Sequence, residues 1–230
     1  MDTTPVQRHF DAEAGRYDRW KGRNWYYYQT IKELYREQIP RDASVLDVGC
    51  GTGDVLASLQ PKRGVGIDIS LSMIERAQQK HPSLEWRALT VDAFARTTQE
   101  TFDVIFLSDV IEHLEDVERT FRAIGSLCHR QTRLLINMAN PRWEPLLLAL
   151  EKLHLKMPEG PHNRISGNEM NRLLEHAGFR SVRRKNVLLV PTYVPLLSQL
   201  VRQLERLPLL NTLCLIQLYE YRPVSKSIGL

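Results

Sequence analysis

Three glycines at alternate positions, Gly49, Gly51 and Gly53, follow the run Val45-Leu46-Asp47-Val48 and precede an amphipathic pattern of Val55, Leu56 and Leu59. A buried strand that turns through such glycines into a helix lets backbone N–H groups approach a ligand closely, because no Cβ stands in the way. Two nucleotide-type ligands compete for a turn of this kind. The dinucleotide fingerprint requires G-x-G-x-x-G/A. Its third position falls on Asp54 when counted from Gly49 and on Leu56 when counted from Gly51, so NAD fits neither register. A second acid, Asp68, closes the run GVGID about twenty residues further on. There a carboxylate can accept hydrogen bonds from both hydroxyls of a ribose.

These residues need a scaffold. From Ser44 to Asn140 strand-like and helix-like segments alternate, the pattern of a βαβ-type parallel sheet. Strands are expected at 44–48, 64–68, 84–89, 102–107 and 132–138, with helices over 53–60, 70–80 and 116–129. Ser70 suits the N-cap of the second helix, whose apolar face carries Leu71, Met73, Ile74 and Ala77. A helix over 168–177 stops at Gly178, and Phe179–Val190 and Leu213–Tyr221 supply two last strands. Residues 1–40, with the aromatic run Trp25-Tyr26-Tyr27-Tyr28, are expected to form a helical lid, and 41–230 a single domain with additions near 141–165 and 191–210.

Composition narrows the field. At 230 residues the chain suits one domain with elaborations, and its formal charge is only +4. Arg180, Arg183, Arg184 and Lys185 form the one basic cluster, and they flank an expected strand, which reads as a solvated edge and not as a nucleic-acid surface. Cys50, Cys128 and Cys214 lie far apart, with neither a C-x-x-C pair nor an even disulfide framework, which favours reduced thiols and the cytoplasm. MDTTPVQRHFDAE lacks the build of a secretory signal, and no apolar run approaches the ~18 residues of a spanning helix.

An acid two residues before the first of three alternating glycines resembles motif I of the class I S-adenosylmethionine-dependent methyltransferases. Ser70-Leu71-Ser72-Met73 after Asp68 also looks like that family's pattern. Phe102-Asp103 leading into SDVIEHLED at 108–116 resembles the "FD…EHL" motif of quinone-type and related small-molecule methyltransferases, and Phe10-Asp11 to Tyr17-Asp18 is similar to their N-terminal helix. The resemblance implies a Rossmann-like, seven-stranded, mostly parallel α/β sheet with helices on both faces, and S-adenosylmethionine as cofactor. It implies cofactor-binding roles for Asp47, Gly49, Cys50, Gly51 and Gly53, for Asp68, Ile69 and Met73, for Asp92 and Ala93, and for Ser108. Asp92 would receive the adenine amino group while the next N–H meets a ring nitrogen; alternatively Asp92 simply caps a helix over 93–98.

Methyl transfer is an in-line displacement at a sulfonium carbon, so the protein mainly aligns the nucleophile and excludes water. A base is required only where the nucleophile must lose a proton. His113 and His162 are the two candidate catalytic residues; alternatively His113 orients substrate or packs the site, and His162 is a surface-loop residue held by its neighbours. Asp109, Glu112 and His113 also keep an acid-x-x-Glu-His spacing by which some quinone O-methyltransferases hold a divalent metal. The first acid here is one methylene short, and Glu-His-Leu occurs in relatives without a metal; no metal is assigned.

The acceptor is the open part. Leu196, Leu197, Leu200, Val201, Leu204 and Leu207 share one helical face, and Leu146 to Leu155 crowd another short helix. Such stripes most simply pack on the core; they also line greasy pockets or lie in a membrane interface. The expectation is methylation, most simply at oxygen, of a hydrophobic or lipid-linked small molecule, with peripheral membrane contact in view. The competing reading is a catalytically idle cofactor-binding partner of another subunit. Nucleic acid is not expected, because the N/D-P-P-Y/F loop of base methyltransferases is replaced by Ser108-Asp109-Val110-Ile111.

Overall fold

The structure, a computed structural model, describes residues 4–158, 160, 161, 163 and 165–224. Two helices come first, α1 (Pro5–Arg23) and α2 (Trp25–Gln38). Thr4 caps α1 by accepting from the Gln7 N–H at 3.2 Å, and Pro5 sits at the first helical position, where a missing N–H costs nothing. Asn24 separates the two helices, and the inner face of α2 sinks Ile31, Leu34 and Tyr35 into the core.

The scaffold then alternates β1 (Ser44–Val48), α3 (Asp54–Leu59), β2 (Arg63–Asp68), α4 (Leu71–Lys80), β3 (Glu85–Ala88), α5 (Val91–Thr97), β4 (Phe102–Ser108), α6 (Val117–Ser126) and β5 (Cys128–Ala139). After it come α7 (Glu144–Lys152), α8 (Gly167–His176), β6 (Phe179–Val187), α9 (Ser198–Leu204), α10 (Pro208–Asn211) and β7 (Ile216–Pro223). The seven strands lie in the order β3-β2-β1-β4-β5-β7-β6. β1 to β5 pair in parallel, and β7 runs antiparallel between β5 and β6. The Rossmann-like seven-stranded fold therefore stands as expected.

Both faces of the sheet are covered, which is why Val104-Ile105-Phe106-Leu107 of β4 reads as an unbroken apolar run and not as an alternation. Ile105 and Leu107 join Phe121 and Met170 on one face, and Phe106 joins Ile31, Tyr35 and Leu56 on the other. Strand order reverses between β1 and β4, and ligands of open α/β sheets bind in the crevice outside the strand ends at such a point.

Local chemistry shifted several boundaries. Helix α6 stops at Ser126, two residues after Ile124 of its buried face, and β5 starts at Cys128 instead of 132. Thr90, not Asp92, caps α5, accepting from the Ala93 N–H at 3.2 Å. Strand β6 ends at Val187 because Leu188 turns left-handed at φ 70°. Helix α9 is shorter than the leucine stripe that suggested it. Leu196 is left-handed at φ 65°, and Leu207, preceding Pro208, is extended at φ −73°, ψ 127°. The leucine-rich additions lie only partly against the core: α7, α9 and α10 contribute no fully buried residue, although Leu147 packs on the core from α7.

Candidate functional site

The glycine turn lies at the carboxyl end of β1. Gly49, Gly51 and Gly53 take φ values of +75°, +52° and +79°, which L side chains rarely adopt. A Cβ on Gly49 would stand 2.5 Å from a Val110 methyl, and one on Gly53 2.4 Å from the Trp86 ring. The Gly49 and Cys50 N–H groups donate to the Ile67 carbonyl at 2.8 and 3.0 Å, which pins the turn against β2. At the end of β2, Asp68 accepts from the Gly51 N–H and the Ser70 N–H, each at 2.9 Å. Burial raises the Asp68 carboxyl above its usual range, and those two N–H donors draw it back. Ser70 in turn caps α4, accepting from the Met73 N–H at 3.1 Å.

Asp47 is the site's exposed nerve in electrostatic terms. It is buried, and its Oδ1 finds no hydrogen-bond partner among the described residues. Burial and then the neighbouring Asp68 push its carboxyl well upward. A buried acceptor left unpaired beside a glycine turn is costly unless a ligand donor meets it. The ammonium, ribose and adenine of an adenosyl sulfonium fit this donor–acceptor pattern.

Around these residues opens one cavity of about 600 Å³. Asp47, Gly49, Cys50 and Gly51 wall it from the turn, Asp68, Ile69 and Met73 from the end of β2 and the start of α4. Asp92, Ser108 and His113 wall it from the ends of β3 and β4. Gly53 and Ala93 stand behind the wall. Gly53 shapes the turn, and the Ala93 N–H is held by Thr90. The Asp92 carboxylate accepts from Arg119 Nε at 2.9 Å.

His113 closes a short 3₁₀ turn, Ile111–His113, after β4. Its Nδ1 lies 3.1 Å from the Pro161 carbonyl oxygen, and Phe10 of the lid meets the ring edge-on at 5.1 Å. A carbonyl only accepts, so Nδ1 donates in this contact. Asp109, left-handed at φ 54°, accepts from the Tyr27 hydroxyl at 2.9 Å and from Asn137 Nδ2 at 2.7 Å. Tyr35 donates to Asn137 Oδ1 at 2.6 Å behind them. Among the described residues no three His, Cys, Asp or Glu side chains gather as ligands for a metal ion. His162 lies outside the described residues.

The lid supplies wall residues that motif spacing did not reveal: Tyr17, Trp20, Lys21, Tyr27 and Tyr28. Lys21 is buried, with Nζ donating to Thr52 Oγ1 at 2.9 Å and Asp54 Oδ2 at 3.0 Å, and 4.6 Å from the centre of the Tyr17 ring. Burial lowers the Lys21 pKa, and Asp54 works against that. Burial would raise Asp54, but Lys21, Lys80 and His81 hold it well below the usual carboxylate range. Lys80 also grips Asp18 of the lid at 2.9 Å. Tyr17 and Lys21 stand four apart and so share a helical face, which is the one local signal that could have grouped them. The added segments contribute Trp143, Leu147, Leu150, Met157 and Pro191 to the lining of the same cavity, together with Lys156 and Thr192.

The family model described as "Methyltransferase domain" matches residues 19–183. Among curated relatives, the ubiquinone biosynthesis O-methyltransferase of Chromobacterium violaceum is 29% identical over 167 residues, 65% of this chain and 72% of that protein. That of Pseudomonas fluorescens is 30% identical over 129 residues, 52% of this chain and 55% of that protein. The chain thus spans between about half and three quarters of the length of such relatives. Two solved structures share the fold. A Thermotoga maritima SAM-dependent methyltransferase, possibly a histamine N-methyltransferase, superposes with TM-score 0.68 at 16% identity, covering 94% of this chain and 99% of that one. The magnesium protoporphyrin IX methyltransferase of Synechocystis, with bound SAH, gives TM-score 0.61 at 18% identity, covering 95% and 97%. An idle cofactor-binding partner is not favoured against these likenesses. With its glycine cradle, two acid-tipped strands and a matching family domain, the chain belongs to the methyltransferase-domain family and is an S-adenosylmethionine-dependent methyltransferase.

Proposed function

We propose that the methyl group goes to a hydroxyl oxygen on a hydrophobic, lipid-linked small molecule. The observation that carries this reading is the single cavity that runs from the glycine turn, past His113, to an apolar wall of Leu147, Leu150 and Met157. The relatives named for O-methylation in ubiquinone biosynthesis support the choice of oxygen. When bound, the cofactor would supply an electrophilic methyl on a sulfonium and would leave as the neutral thioether once that carbon–sulfur bond breaks. The chain's own part is to hold that cofactor through the turn, Asp47 and Asp68, to keep water out with α1 and α2, and to place the acceptor. His113, which walls the cavity at the end of β4 and is oriented by the Pro161 carbonyl, is the residue proposed to take the hydroxyl proton as the oxygen forms its bond to carbon. Three free cysteines support a reducing, cytoplasmic setting.

The test pairs a prenylated catechol with the same catechol lacking its prenyl chain, each in detergent with labelled S-adenosylmethionine. Faster labelling of the prenylated compound is expected. Equal or better transfer to the bare polar catechol overturns the hydrophobic-acceptor reading, and label on nitrogen or carbon overturns the choice of oxygen.

A further inference from the structure

Ten of the fourteen large apolar side chains exposed among the described residues belong to the two segments at 141–158 and 191–213. Leu196 is 99% exposed, Leu209 84% and Leu153 67%. These are not scattered singletons of the kind that any surface carries. The two segments are tied together: Trp143 Nε1 donates to the Leu213 carbonyl at 2.7 Å, and Arg142 to Thr212 Oγ1 at 3.1 Å. The lid joins them, with the Trp25 and Tyr26 rings each 5.6 Å from Tyr193 and Arg23 donating to the His154 carbonyl at 3.3 Å. Leu155 is half exposed and also walls the cavity, so this leucine-rich rim lies at the cavity's mouth.

Cations border the same rim. In the two segments Arg142, Lys152, Lys156, Arg202 and Arg206 outnumber Glu144, Glu151 and Glu205; Arg202 meets Glu33 of α2 at 3.3 Å, and Glu205 accepts from the Leu189 N–H at 2.9 Å. Exposed leucines with flanking Lys and Arg suit the boundary between acyl chains and anionic headgroups. No helix among the described residues is long and apolar enough to cross a membrane, so the contact would be peripheral.

We infer that this rim docks on an anionic lipid bilayer and opens the cavity directly to the acyl layer. The inference rests on the hydrophobic-acceptor reading above: a lipid-linked substrate would then reach His113 without passing through water.

The experiment is co-sedimentation of the full chain with vesicles of equimolar phosphatidylcholine and phosphatidylglycerol, and with phosphatidylcholine alone. Binding to the anionic vesicles, released by high salt, is expected. The triple variant Leu153→Ser, Leu196→Ser, Leu209→Ser should lose on the order of tenfold in vesicle affinity. None of the three walls the cavity, so its calorimetric affinity for S-adenosylhomocysteine should be unchanged, which also reports that it folds. Absence of binding to anionic vesicles overturns the inference, as does equal binding by the triple variant. A dimer in light scattering that the triple variant abolishes overturns it too, because a second copy then covers the rim. Transfer to catechols in detergent needs no vesicle, so vesicle binding without preference for the prenylated acceptor would sink the acceptor reading alone.

Discussion

The two halves of the cavity are built from different materials. The cofactor half is walled by strand ends and a glycine turn of the buried sheet, fixed by backbone hydrogen bonds from Gly49, Cys50 and Gly51. The other half is walled by side chains from added segments whose helices have no fully buried residue, held to the scaffold at a few points such as Trp143, Leu147 and Asn140. Backbone fixed in a core has one geometry, and leucines on short surface helices have many. On the proposed function, the first half would serve the cofactor and the second would suit a particular acceptor.

Substitutions should therefore strike different constants in the two halves. The largest effect belongs to the boundary between them: His113→Ala should lower turnover by about 10²–10⁴-fold while calorimetric affinity for S-adenosylhomocysteine holds. A fall in cofactor affinity instead would move His113 into the cofactor half. Gly49→Ala forces a Cβ onto Val110 at a positive φ, and should weaken cofactor binding by about tenfold to a hundredfold. Asp68→Asn should cost about tenfold in the same titration, because the Gly51 and Ser70 N–H groups meet different carboxylate oxygens and the substitution turns one of these acceptors into an NH2 donor. On the other side, Leu150→Ala should raise KM for a prenylated acceptor by roughly fivefold with cofactor affinity untouched. If it changed both, the division would fail.

The smallest effect has the opposite sign. Asp47 is held protonated above its ordinary range by burial and by Asp68. Between the ordinary and the raised value the ligand-free folded chain keeps a proton that the unfolded chain has released, so stability falls as pH rises through that window. Asp47→Asn removes the titration. It should flatten this slope and raise the ligand-free melting temperature at neutral pH by a few degrees, on the order of 1 kcal/mol, while weakening cofactor binding. A lower melting temperature would show that Asp47 stabilises the turn itself.

The same division explains what the sequence disclosed. β1, the turn and β2 were legible because their signals are local: apolar runs, three glycines, an acid at each strand end, and Ser70 as a cap that the fold uses as read. The lid's contribution was not, because Lys21 meets Thr52 and Asp54 over more than thirty positions of chain, and spacing carries no record of that pairing. Asp109 read as one member of a metal-type spacing, yet its carboxylate lies with Tyr27 and Asn137. The leucine stripe misled for another reason. Helical periodicity says that residues share a face but not what the face meets, and Leu196 and Leu207 leave the helix altogether.

Lys21 and Asp18 leave α1 to meet Thr52, Asp54 and Lys80, all on or beside the nucleoside cradle. Swinging that helix outward strips Asp54 of one of its cations and leaves a buried ammonium to find water. Helix α1 and the glycine turn are thus mechanically one object: whatever loosens the helix also unsettles the turn that its side chains grip.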